Sequence, residues 1–206
     1  MKTIFVAALI GLTMVARQPA HAAVECEPFT WQEEKLDYTA AKDQQRISQV
    51  EQHHFDVDTE SLIKGMTGPP GGDINFLVRY SPNHHRGLAA LVRLSLRDKT
   101  PRPNGVRIPV ECFLLRALEF KPDDVEVLKI YGTYLARLDR NSEALARLAE
   151  AEKLSPEDPV IAYNMGLLLA EQRDFERARV YAKKAYAAGI QFPGLKEKLA
   201  RAGQWR

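Results

Sequence analysis

An excess of charge of either sign is missing from this sequence. Its 206 residues carry 29 Lys and Arg against 27 Asp and Glu. Lys2 and Arg17 fall in the first 22 residues, which hold no acid, so the remainder is formally neutral at 27 against 27. Nucleic-acid and membrane-surface ligands call for a basic excess, and no nucleic-acid partner is expected. Long apolar runs are also missing. The most apolar stretch, Ile4 to Val15, is too short to span a bilayer and is ended by Arg17 and Pro19. Motifs of catalysis are lacking too: there is no G-x-S-x-G, no Walker loop and no H-E-x-x-H. The glycines of GPPGGD lack the lysine of a phosphate loop, and the carboxylates Glu150 and Glu152, two apart on a helix, do not face each other. DVDTES, from Asp56, opens like a calcium loop but has Ser61 and Thr67 where glycine and glutamate are needed, so a helix-capping role is expected instead. The chain reads as a non-enzyme without a cofactor.

What is present begins with MKTIFVAALIGLTMVARQPAHA, a basic start, an apolar core and a small-x-small site at Ala20-His21-Ala22. This predicts a signal peptide over 1–22 and a periplasmic or secreted protein with no stable membrane insertion after cleavage. Glu25, directly before Cys26, departs from the lipobox pattern of a lipid-modified cysteine. Cys26 and Cys112 are the two cysteines, and in an oxidising compartment an even pair is most simply a disulfide, with two buried thiols as the alternative.

The strongest positive signal is a repeat. Residues 125–158 and 159–192 are successive stretches of 34 residues in which Gly132 matches Gly166, Leu135 matches Leu169, Ala144 matches Ala178 and Ala151 matches Ala185. Pro122 and Pro156 have the same separation. Two antiparallel helices approach closely only where side chains are small, and Leu128, Tyr131 and Leu148 would fill the space beside such a contact. This pattern resembles the tetratricopeptide repeat family, with Ala162 and Ile190 departing from it. The resemblance implies an all-α solenoid of about three helical hairpins, with a concave face lined by the first helix of each.

An irregular unit over 83–124 precedes the regular ones, its helices expected over about 83–97 and 110–120 with the insert KTPRPNGVRIP between them as a loop. Residues 81–192 therefore form the repeats. Residues 23–80 form an N-terminal helical extension, with a helix over 39–55, a helical turn over 58–64, and Asp73 capping INFLVRY, which could be the second half of a truncated repeat. Residues 193–206 form a capping helix, from Leu195 to Ala202, ended by Gly203.

All four histidines beyond the leader fall in two pairs, His53–His54 and His84–His85. Neighbours on a helix point about 100° apart, so each pair is expected to have one inward and one outward ring and not to share a metal. One ring from each pair with Asp56 (His54, His84 and Asp56) is the alternative metal- or cofactor-handling reading; packing between the extension and the first repeat is the expectation. From the resemblance, the concave face carries Glu126, Lys129, Ile130, Thr133, Ala136 and Arg137, then Val160, Tyr163, Asn164, Leu167, Ala170 and Glu171. Some domains of this family hold a carboxylate in a basic, Asn-rich clamp, and Lys129, Asn164 and Lys198 match some of its positions, whereas Thr133 and Gly194 depart from it. The expected partner-binding residues are thus Lys129, Thr133, Arg137, Tyr163, Asn164 and Lys198. The expected role is a scaffold or adaptor for a protein or peptide partner in envelope, pilus or secretion assembly.

Overall fold

A computed structural model describes residues 24–28 and 34–205. The expected leader over 1–22 lies outside the described residues. Among those described there are ten α-helices and no strands, and no helix is long and apolar enough to cross a membrane. A 3₁₀ turn (Ala41–Asp43) leads into α1 (Gln44–His54). Then follow α2 (Val57–Glu60), α3 (Pro70–Tyr80), α4 (His85–Asp98), α5 (Val110–Phe120), α6 (Val125–Arg137), α7 (Asn141–Leu154), α8 (Pro159–Glu171), α9 (Phe175–Ala187) and α10 (Gly194–Arg201).

The regular units fold as the spacing predicts. A side chain begun on Gly132 would lie 2.9 Å from Leu148 Cγ and 3.3 Å from the Ala144 carbonyl oxygen, so α6 and α7 touch backbone to side chain at this point. Ala144, Ala151, Ala178 and Ala185 are all fully buried, and Leu128, Tyr131 and Leu148 share one core with Ala144 and Ala151. Gly166 plays two parts. It sits against Ala178, and it leaves the space that Leu195 of α10 fills, its Cδ2 2.6 Å from where a β-carbon would stand. The closing helix thus seals the last repeat with Leu195 and Leu199, both fully buried.

The first helix of each unit starts and stops in the same way. His84, Asp124 and Asp158 are N-caps whose side chains accept from backbone N–H groups of the first turn. One residue past the end of α4 at Asp98, and two past the ends of α6 and α8 at Arg137 and Glu171, stand Lys99, Asp139 and Arg173, each with positive φ (50°, 59° and 63°). After each, a backbone N–H closes the helix: Thr100 to Ser95 O, Arg140 to Leu135 O and Asp174 to Leu169 O, at 3.1, 3.0 and 2.9 Å. This common ending fixes the register of the irregular unit: α4 is equivalent to α6 and α8. The surplus residues form a loop closed by Val110 N to Pro101 O at 2.8 Å. That loop lies on the start of α3, where a β-carbon on Gly71 would meet the Asn104 carbonyl oxygen at 2.3 Å. Gly71 of GPPGGD therefore serves a backbone-to-backbone contact.

The extension is itself a helical hairpin, α1 packing on α3 and α3 on α4. Asp73 does not cap a helix over 74–80, because α3 begins four residues before Ile74, at Pro70, whose lack of an N–H suits a first helical position. Asp73 is instead buried in the first turn and accepts from the Thr67 N–H and hydroxyl and from His54. Cys26 and Cys112 are disulfide-bonded, with Cα atoms 5.6 Å apart, closing a sequence separation of 86 residues onto α5.

Two stability outcomes follow. Gly132→Val is expected to lower unfolding free energy by about 1–3 kcal/mol through overpacking against Leu148. Unchanged urea midpoints would show that the hairpin is not nested there. Opening the disulfide by Cys26→Ser with Cys112→Ala is expected to cost about 2–5 kcal/mol, the range for a native cross-link over a long loop.

Candidate functional site

Between the ends of α4 and α6 lies an open cavity of about 310 Å³, lined by Ser95, Leu96, Lys99, Thr100, Pro101, Tyr134, Arg137 and Leu138. The left-handed turn at Lys99 places its side chain at the mouth, and Arg137 ends α6 on the other side. Both cations are exposed and neither has an ionic partner among the described residues. The floor is fixed: the Tyr134 hydroxyl lies 3.2 Å from Ser95 Oγ, which donates to the Thr100 carbonyl at 2.7 Å. Burial pushes the Tyr134 hydroxyl up from its ordinary pKa. The site is therefore a mostly apolar cleft with two positive charges at its edge. It can hold a chain segment bearing carboxylate or carbonyl groups, and it offers no nucleophile beside a base.

The six expected contact residues do not gather at one point. Arg137 lines the cavity, and Thr133 is exposed one turn earlier on α6. Lys129 Nζ is held 2.7 Å from Glu126 and 3.0 Å from Asp158, and these bonds outweigh burial to raise its pKa. Lys198 Nζ lies 3.0 Å from Glu171. Two of the cations matched to a clamp are thus neutralised within the chain. Tyr163 packs edge-on to Phe192 and Tyr186, at ring-centroid distances of 5.7 and 6.5 Å, beside a half-buried Asn164. Sequence reasoning missed Lys99, Leu96 and Tyr134. The signal available was the thirteen-residue length of α6, which laid on α4 would have set Arg97 and Lys99 beside Arg137 and Asp139.

The histidines fasten the extension to the repeats. His84 is fully buried; its Nδ1 accepts from the Gly87 N–H at 3.0 Å, which leaves the proton on Nε2 to donate to Glu51 at 3.0 Å. Burial, with the Arg86 charge adding to it, depresses His84 to about 3. Its neighbour corrects the one-in, one-out expectation: His85 is also turned inward, Nε2 lying 2.8 Å from Asp124. The cause is the N-cap geometry, since His84 precedes the helix and the usual 100° step does not apply. Asn83, fully buried, donates to Asp37 and Asp124 at 2.8 and 2.9 Å and accepts from the Tyr38 N–H. Burial raises Asp124, but the bonds from His85 and Asn83 prevail and lower it. Tyr38 closes the cluster, its ring 4.2 Å from that of His84.

His54, His84 and Asp56, the alternative metal set, point to different partners: Asp73, Glu51 and the Thr59 N–H that Asp56 caps. Among the described residues no three His, Cys, Asp or Glu are arranged to hold a metal ion. Glu152 is held within the chain, accepting from the Tyr181 hydroxyl at 3.0 Å and pairing with Lys184.

No model of a known protein family matches the sequence, and no curated protein matches it. Solved structures do. PilF of Pseudomonas aeruginosa is 20% identical over 78% of this chain and 69% of its own, with a TM-score of 0.55. PilW, described as a widely conserved type IV pilus biogenesis factor, is 21% identical over 80% and 72%, with a TM-score of 0.56. Both are tetratricopeptide-repeat proteins. The chain has the tetratricopeptide-repeat fold. Within that fold α4, α6 and α8 are the first helices of three repeats, and the α4–α6 cavity lies between two of them.

An acid dependence follows from the polar cluster. His84 titrates near 3 when folded and near 6.5 when free, so the unfolded chain binds the extra proton between those values. Its contribution is complete above about pH 6.5 and is lost as pH falls toward 3. Asp124 and Asp73, both lowered, add loss in the same direction at the acid end. His84→Asn keeps a capping acceptor and is expected to flatten the fall in urea midpoint between pH 7 and 4. Identical pH profiles for both proteins would contradict the assignment.

Proposed function

We propose that this protein is a non-catalytic, exported scaffold that holds a segment of a partner protein between the first helices of its repeats. Arg137 carries the reading. It is an exposed guanidinium at a cleft between two repeats, where the fold leaves it without an ionic partner among the described residues. An unpaired charge at a helix end above a cleft floored by Tyr134 and Ser95 suits an acidic or carbonyl-rich segment better than a small metabolite. Thr133, Tyr163 and Asn164 extend the contact along α6 and α8.

Export is supported by the leader-like start and by the bond between Cys26 and Cys112, which is at home in an oxidising compartment. A neutral mature chain speaks against nucleic acid as partner. The fold shared with PilW makes pilus assembly in the envelope the first context to examine.

Arg137→Ala is expected to weaken capture of the partner from an envelope extract by at least about tenfold, the scale of a buried charged contact at an interface. Arg147→Ala, on α7 and paired with Glu150, serves as the control and is expected to capture normally. Equal capture by all three proteins would place the contact elsewhere.

A further inference from the structure

The chain already seats a segment of its own on part of this surface. Arg86, Arg93 and Arg97 lie on one face of α4, because seven and eleven residues are close to whole turns. All three engage residues 60–62. Arg86 Nε donates to Glu60 Oε1 at 2.9 Å, and its Nη2 to the other carboxylate oxygen. Arg93 donates to the Glu60 carbonyl at 2.9 Å and Arg97 to the Leu62 carbonyl at 2.8 Å. In the register set by the N-caps and the left-handed turns, these arginines correspond to Glu126, Thr133 and Arg137 of α6. Arg97, which holds a main-chain carbonyl, therefore stands where Arg137 stands in the next repeat.

The seated segment is lightly held. Helix α2 is a single turn of four residues capped by Asp56. Val57 and Ile63 are 77% and 71% exposed, and the segment reaches the interior only through Thr59 and Leu62, the latter with a φ of +63° that a bulky residue adopts only under constraint. The hydrogen bond from Arg86 lowers Glu60, so its carboxylate stays ionised.

We propose that residues 56–63 are a built-in occupant of the groove, which a partner segment displaces by offering the same chemistry to Arg86, Arg93 and Arg97. That chemistry is one carboxylate for the Arg86 fork, two main-chain carbonyls for Arg93 and Arg97, and one apolar side chain in place of Leu62. Lys99, at the same end of α4, leads the displacing segment on toward Arg137. This rests on the groove reading and specifies its ligand as acidic.

The test uses a fluorescein-labelled peptide DVDTESLI, which copies residues 56–63, and a second peptide with glutamine in place of its glutamate. Anisotropy is measured with the full disulfide-bonded chain, with an Asp56→Ala, Glu60→Gln variant whose own segment is loosened, and with that variant carrying Arg97→Ala or Arg93→Ala. The loosened chain is expected to bind the peptide at least about tenfold more tightly than the wild type, as removal of an internal competitor requires. Binding is expected to fall with either arginine variant and with the glutamine peptide. Equal affinity for the wild-type and loosened chains, or affinity that survives both arginine variants, overturns the proposal. Peptide binding that is equal in both chains and lost only with Arg137→Ala also overturns it, while leaving the groove reading intact. No binding to any chain overturns it too, and partner capture through Arg137 then decides the groove reading separately.

Discussion

The fold depends on the close approach of two helices where one of them has no side chain. At Gly132 the backbone of α6 meets Leu148 at a distance that a β-carbon would not allow. Ala144 and Ala151 keep the facing side of α7 small. Larger residues beside the contact then fill the remaining volume, and the hairpin becomes a rigid unit that can stack on a copy of itself. The second unit repeats the contact and adds a variation. Gly166 makes room for Leu195, so the device that joins two helices within a repeat also receives the helix that ends the array. Burying one side of each first helix in this way leaves its other side for contacts outside the hairpin.

The N-terminal half is held by a different force. Its fastening is polar, and it passes through Asn83, His84 and His85 to Asp37, Glu51 and Asp124. Buried polar groups stabilise a fold only when every member finds a partner. Here the N-cap position of α4 allows three consecutive side chains to turn inward and be satisfied. A comparable group joins α5, α6 and α7, where buried Glu111 accepts from Arg140 at 2.6 Å and from the Tyr131 hydroxyl at 2.7 Å. These clusters set register between helices that apolar packing alone would let slide.

Much of this could be read from the chain itself, because the repeat is a local property. Small residues at fixed spacing marked the α6–α7 and α8–α9 hairpins, and prolines around the insert gave α5 its limits, Val110 and Phe120. What stayed hidden is what depends on residues far apart in sequence. The helical spacing places His54 on α1 but does not reveal Asp73 as its partner, and Asp73 reads as a cap because its donors lie in the preceding loop and on α1. The left-handed turns at Lys99, Asp139 and Arg173 contain no glycine, so no turn signal announced them. The cations of the expected clamp could not be known to be satisfied, since Asp158 and Glu171 reach Lys129 and Lys198 only after the repeats stack. The cavity at Arg137 arises from the same stacking.

The central claim is that helix nesting leaves an open, positively charged cleft between α4 and α6 that receives a partner segment. Residue-resolved amide hydrogen exchange, with and without the captured partner, tests it most directly. The account predicts slowing at 96–100 and 133–138, with α7 and α9 unchanged. Slowing confined to α7 and α9, with those two stretches unaffected, would contradict it.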